Sequence, residues 1–86
     1  MNDFNSALNW IDDESYNGYP TARVNDFAIV LCCDDGNVLT IQVFDESNWD
    51  AIESGEMYDC ISGFESFDDM YSNAEYVAFS LANTIR

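Results

Sequence analysis

The chain contains no lysine and no histidine, and its only basic side chains are Arg23 and Arg86. Without histidine, histidine-based catalytic triads, histidine metal ligands and the usual acid-base group of neutral pH are all excluded. Two cations are too few to neutralise phosphates, which excludes direct binding to nucleic acid and disfavours an anionic membrane surface. No apolar run approaches the roughly 20 residues of a membrane span, and the first residues carry neither the basic start nor the apolar block of a secretory signal. The expected compartment is the cytoplasm. Pro20 is the single proline, and Gly18, Gly36, Gly55 and Gly63 stand apart, so no phosphate-cradling glycine loop is present.

Cysteine is also scarce. Cys32, Cys33 and Cys60 are odd in number and form no C-x-x-C pair, so they are read as reduced, buried or half-buried packing residues. Cys32 and Cys33 are strand neighbours pointing to opposite faces, an arrangement that does not provide the strained geometry of a vicinal disulfide.

What the chain has in excess is acid. Seventeen Asp and Glu give a formal net charge of −15. Self-repulsion on that scale weakens a compact domain, whereas a charge magnitude of roughly 2 to 8 is enough for solubility. A salt-rich environment or drift would tolerate such a charge, but the absence of every lysine fits drift poorly. A cationic partner is the better explanation.

The 86 residues are read as a single domain, 1–86, folding alone or as a small homo-oligomer. A chain of this size buries roughly 60 to 65% of its unfolded surface, so the core is small. With 48% apolar and 15% aromatic residues it has the material for one.

The organising stretch is 27–44, two apolar runs around Asp34-Asp35-Gly36-Asn37, which reads as a β-hairpin. Leu39, Ile41 and Val43 alternate with Thr40 and Gln42, which marks one face for the core. A three-residue loop of Asp34, Asp35 and Gly36 pairs Leu31 with Leu39, Ile29 with Ile41 and Phe27 with Val43. A two-residue loop sets Leu31 beside Thr40 and buries less apolar surface.

Before the hairpin, Phe4, Ala7, Leu8 and Ile11 are spaced as one face of a helix over 3–13, with Asn2 or Asp3 as its cap and Trp10 covering the edge of the core. Asp12, Asp13 and Glu14 end it. Ser15-Tyr16-Asn17-Gly18-Tyr19-Pro20 is turn chemistry, and 21–24 is either a short extra strand or the start of the first hairpin strand. After the hairpin, Ser47 with Asp50, the Trp49/Ile52 pair and the stop at Gly55 predict a short helix. Residues 57–61 suit a brief strand or another helical turn, with strand preferred. Ser66 starts the longest helix, with Asp68 and Asp69 in its first turn and a broad apolar face of Phe67, Met70, Tyr71, Ala74, Val77, Ala78, Leu81 and Ile85. The expected fold is α+β. A small antiparallel sheet built on the central hairpin carries an N-terminal helix, a short middle helix and a long C-terminal helix, all on one face.

Enzymatic chemistry is not expected: paired carboxylates alone, in a chain this small, offer no obvious cleft. The Asp34-Asp35-Gly36-Asn37 and Asp45-Glu46 stretches do not match the ligand spacing of a calcium loop, so no metal or other cofactor is predicted. What remains is the clustering of carboxylates at Asp12, Asp13 and Glu14, at Asp34 and Asp35, at Asp45 and Glu46, at Asp50, Glu53 and Glu56, and at Asp68 and Asp69. Each cluster taken alone is also what a solvated loop end looks like. Spread evenly over roughly 5,200 Å² of folded surface, the charges stand about one per 300 Å². B-DNA carries one per roughly 100 Å² of its cylinder, so imitation of DNA requires most acids on one side.

In size and composition the chain resembles the small acidic inhibitors of bacteriophages and mobile elements that imitate DNA, the anti-restriction and anti-CRISPR proteins. The resemblance implies an inhibitor whose carboxylates occupy the basic groove of a nuclease or other nucleic-acid-binding complex. The partner-binding candidates are Asp12, Asp13, Glu14, Asp34, Asp35, Asp45, Glu46, Trp49, Asp50, Glu53 and Glu56, with Tyr16, Tyr19, Trp49 and Tyr58 as aromatic anchors. Two other classes fit the same charge: an immunity protein or antitoxin neutralising a cationic toxin, and a structural or adaptor subunit. The adaptor predicts an exposed apolar patch and binding that resists salt.

Overall fold

The computed structural model describes residues 8–33 and 39–83. Residues 27–32 are all buried, and a run that is apolar at every position is the signature of a strand covered on both faces. This strand, β3 (Phe27–Cys33), follows β1 (Ile11–Asp13) and β2 (Tyr19–Val24) and precedes β4 (Leu39–Asp45) and β5 (Asp59–Ser62). The five form one antiparallel sheet whose spatial order is the chain order, which places β3 at its centre. A 3-10 turn, Glu14–Tyr16, joins β1 to β2. Helix α1 (Trp49–Glu53) lies between β4 and β5, and helix α2 (Phe67–Ala82) ends the described chain. No helix among the described residues is long and apolar enough to cross a membrane.

Phe27, Ile29 and Leu31 of β3, with Ile41 and Val43 of β4, meet Met70, Ala74, Ala78 and Leu81 of α2 in the main core. The spacing of four, four and three residues along α2 keeps these side chains on one stripe. Ala28, Val30 and Cys32 point to the other face, where they form a smaller cluster with Tyr16, flanked by Tyr19 and Phe44. Trp49 of α1 sets its ring edge-on to Tyr16 at 6.4 Å, so the short helix lies on the face opposite α2. The helices therefore cover both faces, not one.

The N-terminal helix predicted over 3–13 is overturned: its described part holds β1, antiparallel to β2 with Ile11 opposite Thr21 and Asp13 opposite Tyr19. Residues 3–7 of that prediction, with Phe4 and Ala7, lie outside the described residues. The physical reason is periodicity. Leu8 and Trp10 pack on the core while Asn9 and Ile11 are exposed, an alternation of two rather than 3.6. The open edge of β2 supplies the hydrogen bonds that a helix would have made internally. The described chain thus opens with sheet, and the hairpin is the middle of a five-stranded meander.

The hairpin register also differs. Leu31 pairs with Ile41, Ile29 with Val43, Phe27 with Asp45, and Cys33 closes on Leu39. This is a slip of two residues from the three-residue-loop pairing. A slip of two keeps every side chain on its face, so the inward residues are those expected. Asp34, Asp35 and Gly36 lie outside the described residues.

The other connections follow local chemistry. Asn25 and Asp26 have φ of 53° and 68°, the paired left-handed positions of a two-residue hairpin loop, where Asn and Asp are tolerated. Gly55, with φ of 91°, follows α1 in the left-handed conformation that stops a helix. Residues 57–61 hold the start of β5, in agreement with the preferred strand. Ser66 caps α2 by accepting the Asp69 N–H at 3.1 Å. At the other end, the Asn25 side-chain amide donates to the carbonyls of Leu81 at 3.1 Å and Ala82 at 3.2 Å. The β2–β3 loop thereby caps a helix that has no basic residue in its last turn.

Replacing Asn25 by Asp retains a residue that tolerates positive φ, removes both donors and sets an anion at the negative end of α2. Asn25→Asp is expected to lose about 1–2 kcal/mol at pH 7. Asn25→Gly, which removes the cap without adding charge, is expected to lose less. Urea unfolding midpoints decide the matter, and an Asp variant as stable as the parent would rule out the cap.

Candidate functional site

The face opposite α2 is built by a tight reversal after β1. The Asp13 carboxylate accepts the Ser15 N–H at 2.9 Å, Gly18 N–H donates to the Asp13 carbonyl at 2.8 Å, and Asn17 and Gly18 take φ of 60° and 78°. The turn folds Tyr16 back over the sheet, where its ring stacks on Phe44 at 5.0 Å. Only 7% of Tyr16 is exposed. It is therefore a core residue of the second face and not the contact anchor expected from its place in a turn.

Buried tyrosine needs a partner for its hydroxyl, and Tyr16 donates to Glu46 Oε2 at 2.8 Å. Both oxygens of Glu46 also receive Arg23, through Nε to Oε1 at 2.9 Å and Nη2 to Oε2 at 3.1 Å. The same Nη2 donates to Asp13 Oδ2 at 2.7 Å. The guanidinium stands 6.0 Å from the centre of the Tyr16 ring. Arg23 thus clasps β1, β2, the 3-10 turn and the end of β4 together through a bidentate pair, a second carboxylate and an aromatic ring.

The electrostatics follow from this geometry. The hydrogen bond from Arg23, helped by the Ser15 N–H, holds the Asp13 carboxyl below the usual carboxylate range. Loss of solvent around Tyr16, with Glu46 accepting its hydroxyl, pushes the phenol well above its ordinary value. The hydrogen bonds to Glu46 and then Asp13 raise Arg23 further still, so it stays charged. Among the described residues no group of three or more His, Cys, Asp or Glu is placed to hold a metal ion.

The predicted partner-binding residues divide accordingly. Asp13 and Glu46 are engaged by Arg23. Asp12 and Glu14 flank the clasp and are exposed. Asp45 is half-buried and accepts the Ser47 N–H at 3.0 Å and its hydroxyl at 2.6 Å. Trp49 is 42% exposed, and Asp50, Glu53 and Glu56 are exposed on and just after α1. The Tyr16–Trp49 contact puts Glu14 and the α1 acids on elements of one face. Asp34 and Asp35 lie outside the described residues.

Acids also occupy the other layer, with Asp68, Asp69 and Glu75 on α2. Dividing the 5450 Å² of surface by seventeen carboxylates gives about 320 Å² each, about a third of the charge density of B-DNA. Of the other expected anchors, Tyr19 is half-buried beside Phe44. Tyr58 is 55% exposed while its ring meets Phe27 at 4.6 Å. Cys32 is buried but Cys60 is exposed on the edge strand, contrary to the packing role expected of it. Between the turn and α1 runs an open groove of about 210 Å³ lined by Tyr16, Tyr19, Val30, Gln42, Phe44 and Ile52.

The clasp itself was not foreseen. Its signal is that Arg23, among so many acids, must find carboxylates, but which ones depends on strand pairing across 10 and 23 residues. Comparison with protein-family models, with curated proteins and with solved structures finds no match to this chain.

Arg23→Met leaves Asp13, Glu46 and the Tyr16 hydroxyl facing one another without a cation. The ion pairs are partly solvated, so the expected fall in melting temperature is about 5 °C at pH 7. A depressed folded-state carboxyl stabilises above its unfolded value near 3.9 and ceases to do so as pH falls through the folded value. The stability gap between parent and variant should therefore hold from neutral pH to about 4 and close below it. Denaturant melts at descending pH would expose an error here as a gap that never narrows.

Proposed function

We propose that the protein is an acidic inhibitor that occupies the basic nucleic-acid-binding groove of a nuclease or other DNA- or RNA-binding complex, in the manner of anti-restriction and anti-CRISPR DNA mimics. The observation that supports this reading is the exhaustion of Arg23. The only cation among the described residues is committed to Asp13 and Glu46, so Glu14, Asp50, Glu53 and Glu56 face solvent on a braced surface with Trp49 among them. Carboxylates held on packed elements attract a basic groove, speed encounter and lose little freedom on contact. Because acids lie on both layers at low average density, contact is made by this local cluster rather than by the whole surface. The working compartment is the cytoplasm, that of the host if a phage encodes the chain. The protein does no catalysis and needs no cofactor.

The test is capture of partners from bacterial lysate at about 0.05 M and about 1 M salt, with DNA as competitor. A basic nucleic-acid enzyme should be retained at low salt and released by DNA or high salt. The combined variant Glu14→Gln, Asp50→Asn, Glu53→Gln and Glu56→Gln should lose that capture by about tenfold or more. Capture of a cationic toxin that DNA does not displace but high salt does would point instead to an immunity protein, and capture that ignores both salt and DNA would replace the inhibitor with an adaptor.

A further inference from the structure

The two short elements over the second face of the sheet do not close upon it. The 3-10 turn and α1 meet where the rings of Tyr16 and Trp49 stand 6.4 Å apart, and beside that contact lies the open groove of about 210 Å³. Val30 of the central strand lines its base, Tyr16, Phe44 and Ile52 give it apolar walls, and Gln42, the cross-strand partner of Val30, brings it a side-chain amide. Pockets for drug-sized molecules begin at roughly 300 Å³, so this one suits a single side chain. Glu14 opens the turn on one bank, and Asp50 and Glu53 stand with Ile52 on α1 at the other, all three acids exposed. Arg23 shows what such groups hold. Its guanidinium lies 6.0 Å from the centre of the Tyr16 ring with two carboxylates at its edge. The groove repeats that set of aromatic rings and nearby acids, while Arg23, the single cation among the described residues, is committed to Asp13 and Glu46.

We infer that this groove is a slot for one arginine side chain of the basic partner, whose guanidinium lies against the Tyr16 and Phe44 rings and donates to the Gln42 amide oxygen, with Glu14, Asp50 and Glu53 offsetting its charge from the rim. The slot rests on the acidic-inhibitor reading and adds shape to what is otherwise charge alone. Chemistry selects this occupant. A guanidinium is planar, weakly hydrated and stacks on aromatic faces, whereas the ammonium of lysine is a compact, strongly hydrated charge. An anionic side chain would be repelled by the rim, and a purely apolar one would leave the acids without a counter-charge. Arg23 does not oppose entry, because Asp13 and Glu46 offset its own charge.

The test uses two blocked peptides of about eight residues and equal charge, one alternating Gly with Arg and the other Gly with Lys. At about 0.15 M salt the Gly/Arg peptide should bind the full chain about fivefold or more tightly than the Gly/Lys peptide. In two-dimensional NMR the amide shifts it causes should centre on 15–19, 42–44 and 52, and its arginine Cδ protons should move upfield under the ring currents. Gln42→Tyr, which fills the groove with an uncharged ring, should bring the Gly/Arg peptide down to the affinity of the Gly/Lys peptide, with circular dichroism and melting temperature reporting that the variant folds. Equal binding of the two peptides by the parent, shifts gathered away from the groove, or a preference that survives in folded Gln42→Tyr would each overturn the slot. The variant Glu14→Gln, Asp50→Asn, Glu53→Gln should weaken both peptides together. If it does so although the parent binds the two alike, the slot fails and the inhibitor reading stands; if it changes neither, the acidic cluster is not a contact for cations and both fail.

Discussion

Everything in this fold depends on covering β3 from both sides. Its side chains from 27 to 32 are buried, which in a domain of this size requires two separate covers. One is a regular helix with an alanine-rich inner stripe, close enough to the sheet that Ala74 and Ala78 are inaccessible to solvent. The other is improvised from a three-residue 3-10 turn and a five-residue helix that meet through Tyr16 and Trp49. Short elements have little helical stability of their own, so the second cover needs an external brace. Arg23 is that brace, because its guanidinium joins Asp13, at the start of the 3-10 turn, to Glu46 in the segment that leads into α1.

The arrangement gives the single clasping cation a role out of proportion to its exposure. An isolated surface ion pair contributes little, but here one guanidinium satisfies two carboxylates and backs a tyrosine ring whose hydroxyl shares one of them. Were Asp13 and Glu46 left without it, two anions would converge beside a buried phenol on a molecule already strongly negative. The clasp turns a local repulsion into a joint between the first and fourth strands. It also leaves the remaining acids of that face without a cation among the described residues, which links the fold to the proposed binding role.

Much of this was legible in the sequence, and the parts that were not share a cause. Ser66 and the apolar spacing from Met70 to Leu81 are local signals, and so are Trp49, Ile52 and Gly55 around α1. The inward set of the hairpin followed from strict alternation. Its register did not, because a slip of two residues leaves Ile29, Leu31, Ile41 and Val43 on the same face and apolar burial cannot distinguish the two pairings. Ile11 to Asp13 shows no alternation long enough to mark a strand, and β1 exists because β2 offers it an edge, a tertiary effect that overrides local preference. The count and spacing of the cysteines carry no information on burial, and Cys60 is exposed because β5 is an edge strand. Arg23 was legible only as a scarcity: its partners lie 10 and 23 residues away and become neighbours through the sheet.

The charge that weakens the isolated domain is the same charge that would hold a basic partner, and salt separates the two effects. Screening relieves repulsion among carboxylates that have no cation near them, so added salt favours the folded chain on its own. Screening also weakens attraction to a basic groove, so added salt opposes the proposed complex. A cationic partner would itself act as a stabilising ligand, raising the folded population in proportion to its occupancy. On this view the acidic surface is not tuned for the stability of the free protein. Its repulsion is opposed by the sheet, the two covers and the Arg23 clasp, and contact with positive charge would relieve it.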